Sequence, residues 1–374
     1  MACSFYFLLP TLPVYAVNAL NANNNQVGYI IGVYALSALL IRPFCGYALD
    51  AYGRKSVYIW ALVLFTILTA LYHFSATFFI LLVIRVFHGF TWGTITTGGS
   101  TIAADIIPES KRGEGIGYFG LAMTFSVALA PYAGDQIMGQ NNFNNLFTIS
   151  TIVALVSLVL IFFVRIPKIK TGETKLELSK MFDKRVNRIA VVMFTSAFPF
   201  AAIITFIRIY SDELNINQGA LFFIFMALGV AVVRLVVGKI MDKKGPTLLV
   251  IVGLVVSLIG LIWLRYVDSF WPLMFTGVLV GFGNGIIIPT VQTMALNIVP
   301  EESRGAASAT YFSSIDLGIG AGSIALGYLA EYYGIGMMFF ICGLILLFPI
   351  IFYFLFVRKH YFKHLKIQRE LIDD

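Results

Sequence analysis

Residues 46–56 read GYALDAYGRKS, a short charged loop with two glycines that lies between two long apolar runs. Residues 238–245 read GKIMDKKG and lie between two further apolar runs. In both stretches Gly, Asp and Gly follow one another at intervals of four and three residues. Shared apolar composition does not align such polar positions, so the two stretches predict a unit that occurs twice.

The composition predicts a protein that is embedded in lipid. Of the 374 residues, 59% are hydrophobic and 12% are charged, and the mean hydropathy is +0.87. A soluble domain carries about 25% charged residues, and a membrane-spanning helix needs about 20 consecutive apolar residues. Such runs recur along this chain, so we expect an all-α membrane protein. The three cysteines have no metal-ligand spacing, and we expect neither a metal nor a cofactor.

Twelve apolar runs, six before and six after one long polar stretch, predict twelve transmembrane helices. The predicted spans are 3–20, 27–49, 56–74, 77–104, 114–134, 144–164, 189–210, 219–241, 247–265, 271–298, 306–330 and 336–357. We expect an N-terminal six-helix bundle at 1–164, a cytoplasmic linker at 165–188, a C-terminal six-helix bundle at 189–357 and a cytoplasmic tail at 358–374.

The placement of Lys and Arg predicts the orientation. Of these 26 residues, 21 lie in segments that the twelve spans put on one side of the membrane, and basic loops face the cytoplasm. We therefore expect a multi-pass protein of the cell (inner) membrane with both termini in the cytoplasm. The net charge of +7 reflects this placement, and we expect no nucleic-acid partner. Because Met1 opens directly into an apolar run with Pro10 and Pro13, we also expect the first helix to lack its cytoplasmic end.

A shift of 192 residues aligns the two halves of the chain. From residue 42 to residue 113, 22 of 72 aligned positions are identical without a gap. Many identities fall on Gly, Pro, Arg, Asp and Glu, which indicates a tandem duplication. Because each copy has an even number of spans, the copies share one orientation, and we expect two six-helix bundles related by a pseudo-twofold axis along the membrane normal.

Four stretches resemble motifs of the major facilitator superfamily. GYALDAYGRKS resembles its G-x-L-x-D-x-x-G-R-[RK] loop between spans two and three, and GKIMDKKG is a weaker echo between spans eight and nine. RVFHGFTWG at 85–93 resembles the R-x-x-x-G signature of span four. ALAPYAG at 128–134 resembles the G-P-x-x-G antiporter motif through Pro131 and Gly134, with Ala130 in place of the first glycine. The resemblance implies a secondary transporter of twelve helices, similar to the drug and solute:proton antiporter group, that works by alternating access as a monomer in the lipid bilayer.

The first motif predicts a gate on the cytoplasmic side. Gly46 and Gly53 are expected to allow a tight turn and a close approach to a neighbouring helix. By resemblance, Asp50 contacts the start of span eleven and closes the two halves together there. Asp242 is its counterpart in the second copy.

An ion pair between Arg54 and Asp105 is predicted by comparing the two copies. The counterparts of these residues are Pro246 and Asn297, so both charges are present in one half and both are absent from the other. Two independent surface charges are the alternative interpretation.

Ionisable residues within spans indicate function because they are costly in a bilayer. Asp316 stands about twelve residues into span eleven, near the midplane, and we expect it to gain and lose a proton during transport. A hydrogen bond to Ser313 or Ser314 is the alternative. Arg85 has His88 on the same face of span four. It is expected to bind an anionic substrate group or to hold down the pKa of a carboxylate that carries the proton. Bonds to backbone carbonyls are the alternative for Arg85, and gap filling is the alternative for His88.

Four further residues are weaker candidates for the transport path. Arg42 faces the mouth of the cavity or reaches lipid phosphates, and Arg208 lies near the outer end of span seven. Tyr34 and Asn284 are expected to line the cavity, whereas lipid contact or packing is the alternative role of an aromatic residue within a span.

The function expected from these features is transport of a small organic solute by proton-coupled efflux. Import by proton symport of a sugar, an amino acid or an organic acid is the alternative, and a channel or a non-transporting receptor is a third class. The stretch ending in GRKS does not fit a phosphate-binding loop, because Ala48 stands at its first glycine and Arg54 at its lysine. We therefore do not expect an enzyme.

Overall fold

The computed structural model describes five stretches of the chain. They are residues 1–107, 112–139, 142–166, 182–300 and 303–373. The side chains of residues 112–121 and of a few other residues, including Asp50 and Asp242, lie outside this description. By its internal contacts the chain divides into unit 1, Met1–Glu177, and unit 2, Leu178–Asp374.

Within the described residues, unit 1 is built from six long helices. They are α1 Ala2–Leu20, α2 Asn24–Ala51, α3 Arg54–Leu71, α4 Phe78–Ile106, α5 Arg112–Met138 and α6 Phe143–Phe162. Polar side chains begin several of them. Asn23 and Gln26 each bond the other's backbone N–H at 3.0 Å in a capping box before α2, and Thr77 accepts from the N–H of Ile80 at the start of α4. These bonds satisfy N–H groups that a helix start otherwise leaves free.

In the described part of unit 2, five long helices are followed by a segmented one. They are α7 Asn187–Glu213, α8 Leu221–Lys244, α9 Pro246–Leu264, α10 Phe270–Asn297, α11 Arg304–Tyr333, α12 Ile335–Ile345, α13 Leu347–Phe352 and α14 Arg358–Asp373. A π-helical turn at Tyr353–Val357 joins α13 to α14. The predicted twelfth span therefore consists of α12, α13 and this turn, and the segment predicted as a tail is helical to Asp373.

The helices have the length and the surface of membrane spans. Within the described residues, ten helices are long and apolar enough to cross a membrane, and Leu221–Arg234 is a shorter apolar segment. Large apolar side chains are exposed along them, for example Trp60 at 66%, Phe163 at 79% and Trp271 at 70%. A soluble surface does not carry so many such side chains, whereas lipid covers them without penalty. The all-α, twelve-helix membrane fold expected from the sequence is confirmed.

The two units repeat the same close helix packing. A Cβ added to Gly93 on α4 would lie 2.7 Å from the carbonyl oxygen of Ala38 on α2. A Cβ added to Gly285 on α10 would lie 3.0 Å from Cα of Val230 on α8. Val230 is the counterpart of Ala38 at the spacing of 192 residues. The α2–α4 and α8–α10 pairs are thus equivalent, and small residues bring their backbones together.

The glycines of the two polar loops have two different roles. Gly53 has a φ of 89° and Gly245 a φ of 72°, so both turns use a backbone conformation that favours glycine. Gly46 and its counterpart Gly238 lie on exposed faces, and a Cβ added to either would meet no atom within 4 Å. The predicted tight turn at Gly53 is correct. The predicted close approach at Gly46 is wrong within the described residues, because its face of α2 is open.

Candidate transport site

A fully buried arginine lies among aromatic residues in unit 1. Arg85 and His88 on α4 are both 0% exposed. Cζ of Arg85 lies 4.7 Å from the ring centroid of Tyr34 on α2. Nδ1 of His88 lies 2.8 Å from the hydroxyl oxygen of Tyr72, which follows α3, and the ring of Phe65 lies 4.5 Å from the ring of His88. We call these five residues the Arg85 cluster.

The Arg85 cluster contains buried polar atoms without hydrogen bonds. Within the described residues, no acceptor meets the guanidinium nitrogens of Arg85 in hydrogen-bond geometry, and Nε2 of His88 also has no hydrogen bond. The hydroxyl of Tyr72 interacts with the Arg85 guanidinium electrostatically and through a hydrogen bond that falls outside this strict geometry. A desolvated cation–π contact contributes about 2 kcal/mol, whereas an unpaired buried ion costs several kcal/mol. These donors therefore suit an anionic or a carbonyl oxygen.

Aromatic rings cover one side of the cluster. Tyr34 is buried and stacks on Phe5 of α1 at 5.0 Å between ring centroids. Phe5 in turn contacts Trp92 of α4, with ring centroids 4.0 Å apart. This wall excludes water from the vicinity of Arg85 and so strengthens electrostatic interactions there.

The charges of the loop motif meet at one end of unit 1. Arg54, the first residue of α3, forms an ion pair with Asp105, near the end of α4, and both side chains are partly buried. The predicted pair is therefore present. Because Gly53 forms the turn immediately before Arg54, the α2–α3 connection is fixed to α4. The side chains of Asp50 and Asp242 lie outside the described residues.

Arg42 turns toward α4. Its Nη1 lies 3.4 Å from the hydroxyl oxygen of Thr96 and 3.3 Å from that of Thr97, and both hydroxyls can accept its hydrogen bonds. Neither of the two roles predicted for Arg42 includes these contacts, which were not visible in the sequence.

In unit 2 the candidate residues lie on three different helices, α7, α10 and α11. Asp316 is half-buried near the middle of α11, and the hydroxyl of Ser314 donates to the carbonyl of Tyr311 at 2.6 Å. The amide of Asn284 donates to the carbonyl of Val280 at 2.9 Å, and Asn284 lines a small cavity together with polar serines. Arg208 forms an ion pair with Asp212 one helical turn later.

The antiporter-like stretch packs α5 against α1. Pro131 is buried inside α5. A Cβ added to Gly134 would lie 2.6 Å from the carbonyl oxygen of Phe7 on α1. Glycine at position 134 therefore permits a backbone contact between these helices, which is a structural reason for this part of the motif.

Two members of the Arg85 cluster, Tyr72 and Phe65, were not found from the sequence. The duplication contains a usable signal, because their counterparts 192 residues later are Leu264 and Ser257. His88 likewise corresponds to Val280. At these positions a polar or aromatic residue in the first copy corresponds to a residue of another type in the second copy. The same kind of difference identifies the Arg54–Asp105 pair.

Comparison with known proteins places these features in a family. The model of the Major Facilitator Superfamily matches residues 1–271 and 245–371. The chain is 28% identical over 348 residues to a multidrug resistance efflux pump PmrA homologue of Lactococcus lactis. This alignment covers 87% of this chain and 85% of the relative. It is 24% identical over 358 residues to the staphylopine export protein of Staphylococcus aureus. This alignment covers 90% of this chain and 88% of the relative.

A solved structure supports the same fold. The crystal structure of a D-xylose-proton symporter superposes with a TM-score of 0.76 at 16% sequence identity, over 95% of this chain and 96% of the other. At this identity the likeness concerns the fold alone. The match of the family model over nearly the whole length is decisive, and the chain is a transporter of the Major Facilitator Superfamily.

Proposed function

We propose that this transporter exports a small organic solute that carries an anionic group, in exchange for protons. The observation that carries this proposal is Arg85, whose guanidinium is fully buried beside Tyr34 and Tyr72 and meets no carboxylate within the described residues. A substrate carboxylate or phosphate would pair with it, and a hydrogen bond to a charged group contributes about 1.5–3 kcal/mol. His88 would add a donor or an acceptor through Nε2.

The direction of transport rests on the relatives. The two relatives described above are named as an efflux pump homologue and an export protein. Import by proton symport is the second candidate, and the fold shared with a D-xylose-proton symporter is compatible with it. Fold alone does not choose between them.

Proton coupling is assigned to Asp316. It is a half-buried carboxylate near the middle of α11, and a carboxylate at that depth can lose its charge by taking a proton. Protonation and deprotonation on opposite sides of the membrane would drive the cycle. Gating is assigned to the loop motif, in which Asp50 closes the cytoplasmic side and the Arg54–Asp105 pair fixes the loop to α4.

The proposed arrangement in the cell is a monomer in the cell membrane with both termini in the cytoplasm. The proposed domains are the bundles at 1–164 and 189–357, the linker at 165–188 and the segment 358–374. Single cysteines introduced at residue 370 and at residue 141 test this orientation. Their labelling by a thiol reagent that does not cross the membrane is measured in intact cells. Labelling of residue 370 from outside intact cells would contradict it.

Reconstituted vesicles test the direction and the coupling. Purified protein in proteoliposomes is loaded with a panel of organic anions, zwitterions and cations, and an inward or an outward proton gradient is imposed. We expect release of an anionic solute to be driven by an inward proton gradient, with protons moving in as solute moves out. Asp316→Asn is expected to lose gradient-driven flux and to retain solute exchange. Full gradient-driven flux in Asp316→Asn, or solute and protons moving in the same direction, would overturn the proposal.

A further inference from the structure

A groove lies on the accessible surface of unit 1 between three helices. Its wall consists of apolar and aromatic residues from α2, α3 and α4 and from the turn before α3. The wall includes Ile41, Tyr52, Val57, Trp60, Phe90 and Thr94. Tyr52 and Trp60 are mostly exposed, and the α3 helix is long and apolar enough to cross a membrane. We call this feature the α3 groove.

At the equivalent place in unit 2, apolar side chains pack together into a core cluster. Val233, Val237, Leu249 and Ile286 form a core cluster in which each residue is at most 6% exposed. Val252 and Phe282 pack against this cluster. At the spacing of 192 residues these six residues correspond to Ile41, Cys45, Val57, Thr94, Trp60 and Phe90. The residues of the α3 groove in unit 1 thus correspond to residues that pack into a core in unit 2.

Two substitutions between the copies explain the opening. Thr94 stands where unit 2 has Ile286, and its hydroxyl donates to the carbonyl of Phe90 at 2.9 Å and lies 3.0 Å from Sγ of Cys45. Its polar atom is thus turned to its own helix and to α2 and does not fill the gap. Trp60 stands where unit 2 has Val252, and Trp60 is 66% exposed instead of packing inward.

The loop-motif end of the groove carries a positive charge. Lys55 is exposed at the start of α3, next to Ser56, which lines the groove. The counterpart of Lys55 is Thr247, which lies 3.1 Å from the hydroxyl oxygen of Tyr353 and is satisfied within unit 2. The α3 groove thus has a cationic end and an apolar body, with aromatic rings between them.

We propose that the α3 groove binds one anionic phospholipid, with its phosphate at Lys55 and an acyl chain along Val57, Trp60 and Phe90. The groove faces the lipid-exposed surface of α3, so an acyl chain is the apolar occupant that surrounds it. Tyr52, in the turn before α3, suits the level of the headgroups, where amphipathic rings are enriched. Lys55 provides charge complementarity to an anionic headgroup. This site is separate from the Arg85 cluster and does not depend on the proposed substrate.

Lipid binding to the detergent-purified full chain tests the proposal. Native mass spectrometry and thermal unfolding are followed while dioleoyl phosphatidylglycerol, dioleoyl phosphatidylcholine or inorganic phosphate is added. We expect one tightly held phosphatidylglycerol, weaker phosphatidylcholine and no effect of inorganic phosphate alone. Lys55→Thr, which copies unit 2, is expected to bind phosphatidylglycerol about fivefold more weakly and to bind phosphatidylcholine unchanged.

Variants that fill the groove separate the acyl chain from the headgroup. Thr94→Ile copies Ile286 of unit 2, and we expect it to weaken both lipids while the protein stays monodisperse. Lys244→Thr, at an exposed lysine before α9 in unit 2, is the matched control and should bind phosphatidylglycerol as the wild type does. Equal phosphatidylglycerol binding by the wild type, Lys55→Thr and Thr94→Ile would overturn the proposal. An equal loss in Lys55→Thr and Lys244→Thr would also overturn it, because it would reflect general surface charge.

Discussion

The α2–α4 pair of unit 1 and the α8–α10 pair of unit 2 share a backbone arrangement but differ in chemistry. Gly93 and Gly285 meet counterpart residues on the neighbouring helix in the same way. In contrast, Arg85 and His88 of α4 correspond to Gly277 and Val280 of α10. The duplication therefore separates what both helix pairs need in order to pack from residues that only one copy carries. The buried charge belongs to the second group, which is why we assign it a role in transport and not in folding.

The largest effect is expected at Arg85. Arg85→Gln removes an ion that is buried without a carboxylate partner in the described residues, and the free energy of unfolding should therefore rise or stay the same. Transport of the anionic substrate should fall by about tenfold to a hundredfold, because a charge-assisted hydrogen bond is lost. Initial rates in proteoliposomes and the midpoint of thermal unfolding measure both changes in one preparation.

Arg265→Gln is the control for this variant, since Arg265 is exposed outside the cluster and should transport as the wild type does. If Arg85→Gln were strongly destabilised, Arg85 would have a structural role, and the contrast between the two helix pairs would lose its meaning.

The next largest effect is expected at the packing glycines of both copies. A Cβ at Gly89 would lie 2.9 Å from Cβ of Ser37, and a Cβ at Gly281 would lie 2.9 Å from Cα of Met226. Gly89→Ala and Gly281→Ala should therefore each lower the free energy of unfolding by about 1–3 kcal/mol. Thermal unfolding in detergent measures the loss.

Gly46→Ala in α2 and Gly238→Ala in α8 are the matched controls, because a Cβ there meets no atom within 4 Å. In a helix interior alanine is favoured over glycine by about 0.5–1 kcal/mol, so neither variant should be less stable than the wild type. A destabilised Gly281→Ala beside an unaffected Gly89→Ala would show that the two pairs do not pack alike.

A smaller effect is expected at the ion pair that only unit 1 contains. Arg54→Asp and Asp105→Arg should each reduce transport and stability, and the double variant should recover part of the loss. We expect a coupling energy of about 1 kcal/mol, as for a partly exposed pair. A double-mutant cycle in thermal unfolding measures it. A double variant that is no better than the worse single variant would mean that the two charges act independently.

The smallest effect is expected outside the membrane, at Asp183 in unit 2. Arg185 donates to both carboxylate oxygens of Asp183 at 2.5–3.2 Å, and these bonds lower the pKa of Asp183 from its ordinary value. The resulting stability is present above about pH 4, the pKa of an unfolded aspartate, and is lost as the pH falls through the depressed pKa of the folded state. Asp183→Asn should therefore be slightly less stable than the wild type at pH 7, with a difference that shrinks below pH 4. A difference that persists at the lowest pH would exclude this charge effect.

Much of the fold was predictable because it depends on local properties of the chain. Apolar runs of helical length predicted the spans, and Gly53 predicted a turn that has a positive φ. The Arg54–Asp105 pair was predictable because the duplication offered an internal comparison. Where one copy lacks both charges, a direct contact in the other copy is the simplest explanation.

The remaining features depend on how helices are rotated against one another, which hydropathy does not encode. The contact of Tyr72 with His88 requires the end of α3 to face α4. The open face at Gly46 follows from the rotation of α2, although the motif alone suggested a close contact. The sequence of α14 is too polar to be recognised as a span, so its helical structure was missed.

The central claim is that Arg85 gives this transporter its preference for an anionic group. The most direct test measures flux of one transported carboxylic acid and of its methyl ester in the same proteoliposomes, for the wild type and for Arg85→Gln. We predict that the wild type moves the acid at least tenfold faster than the ester and that the variant moves the two at similar rates. A wild type that moves both equally, or an acid preference that survives in Arg85→Gln, would contradict the account.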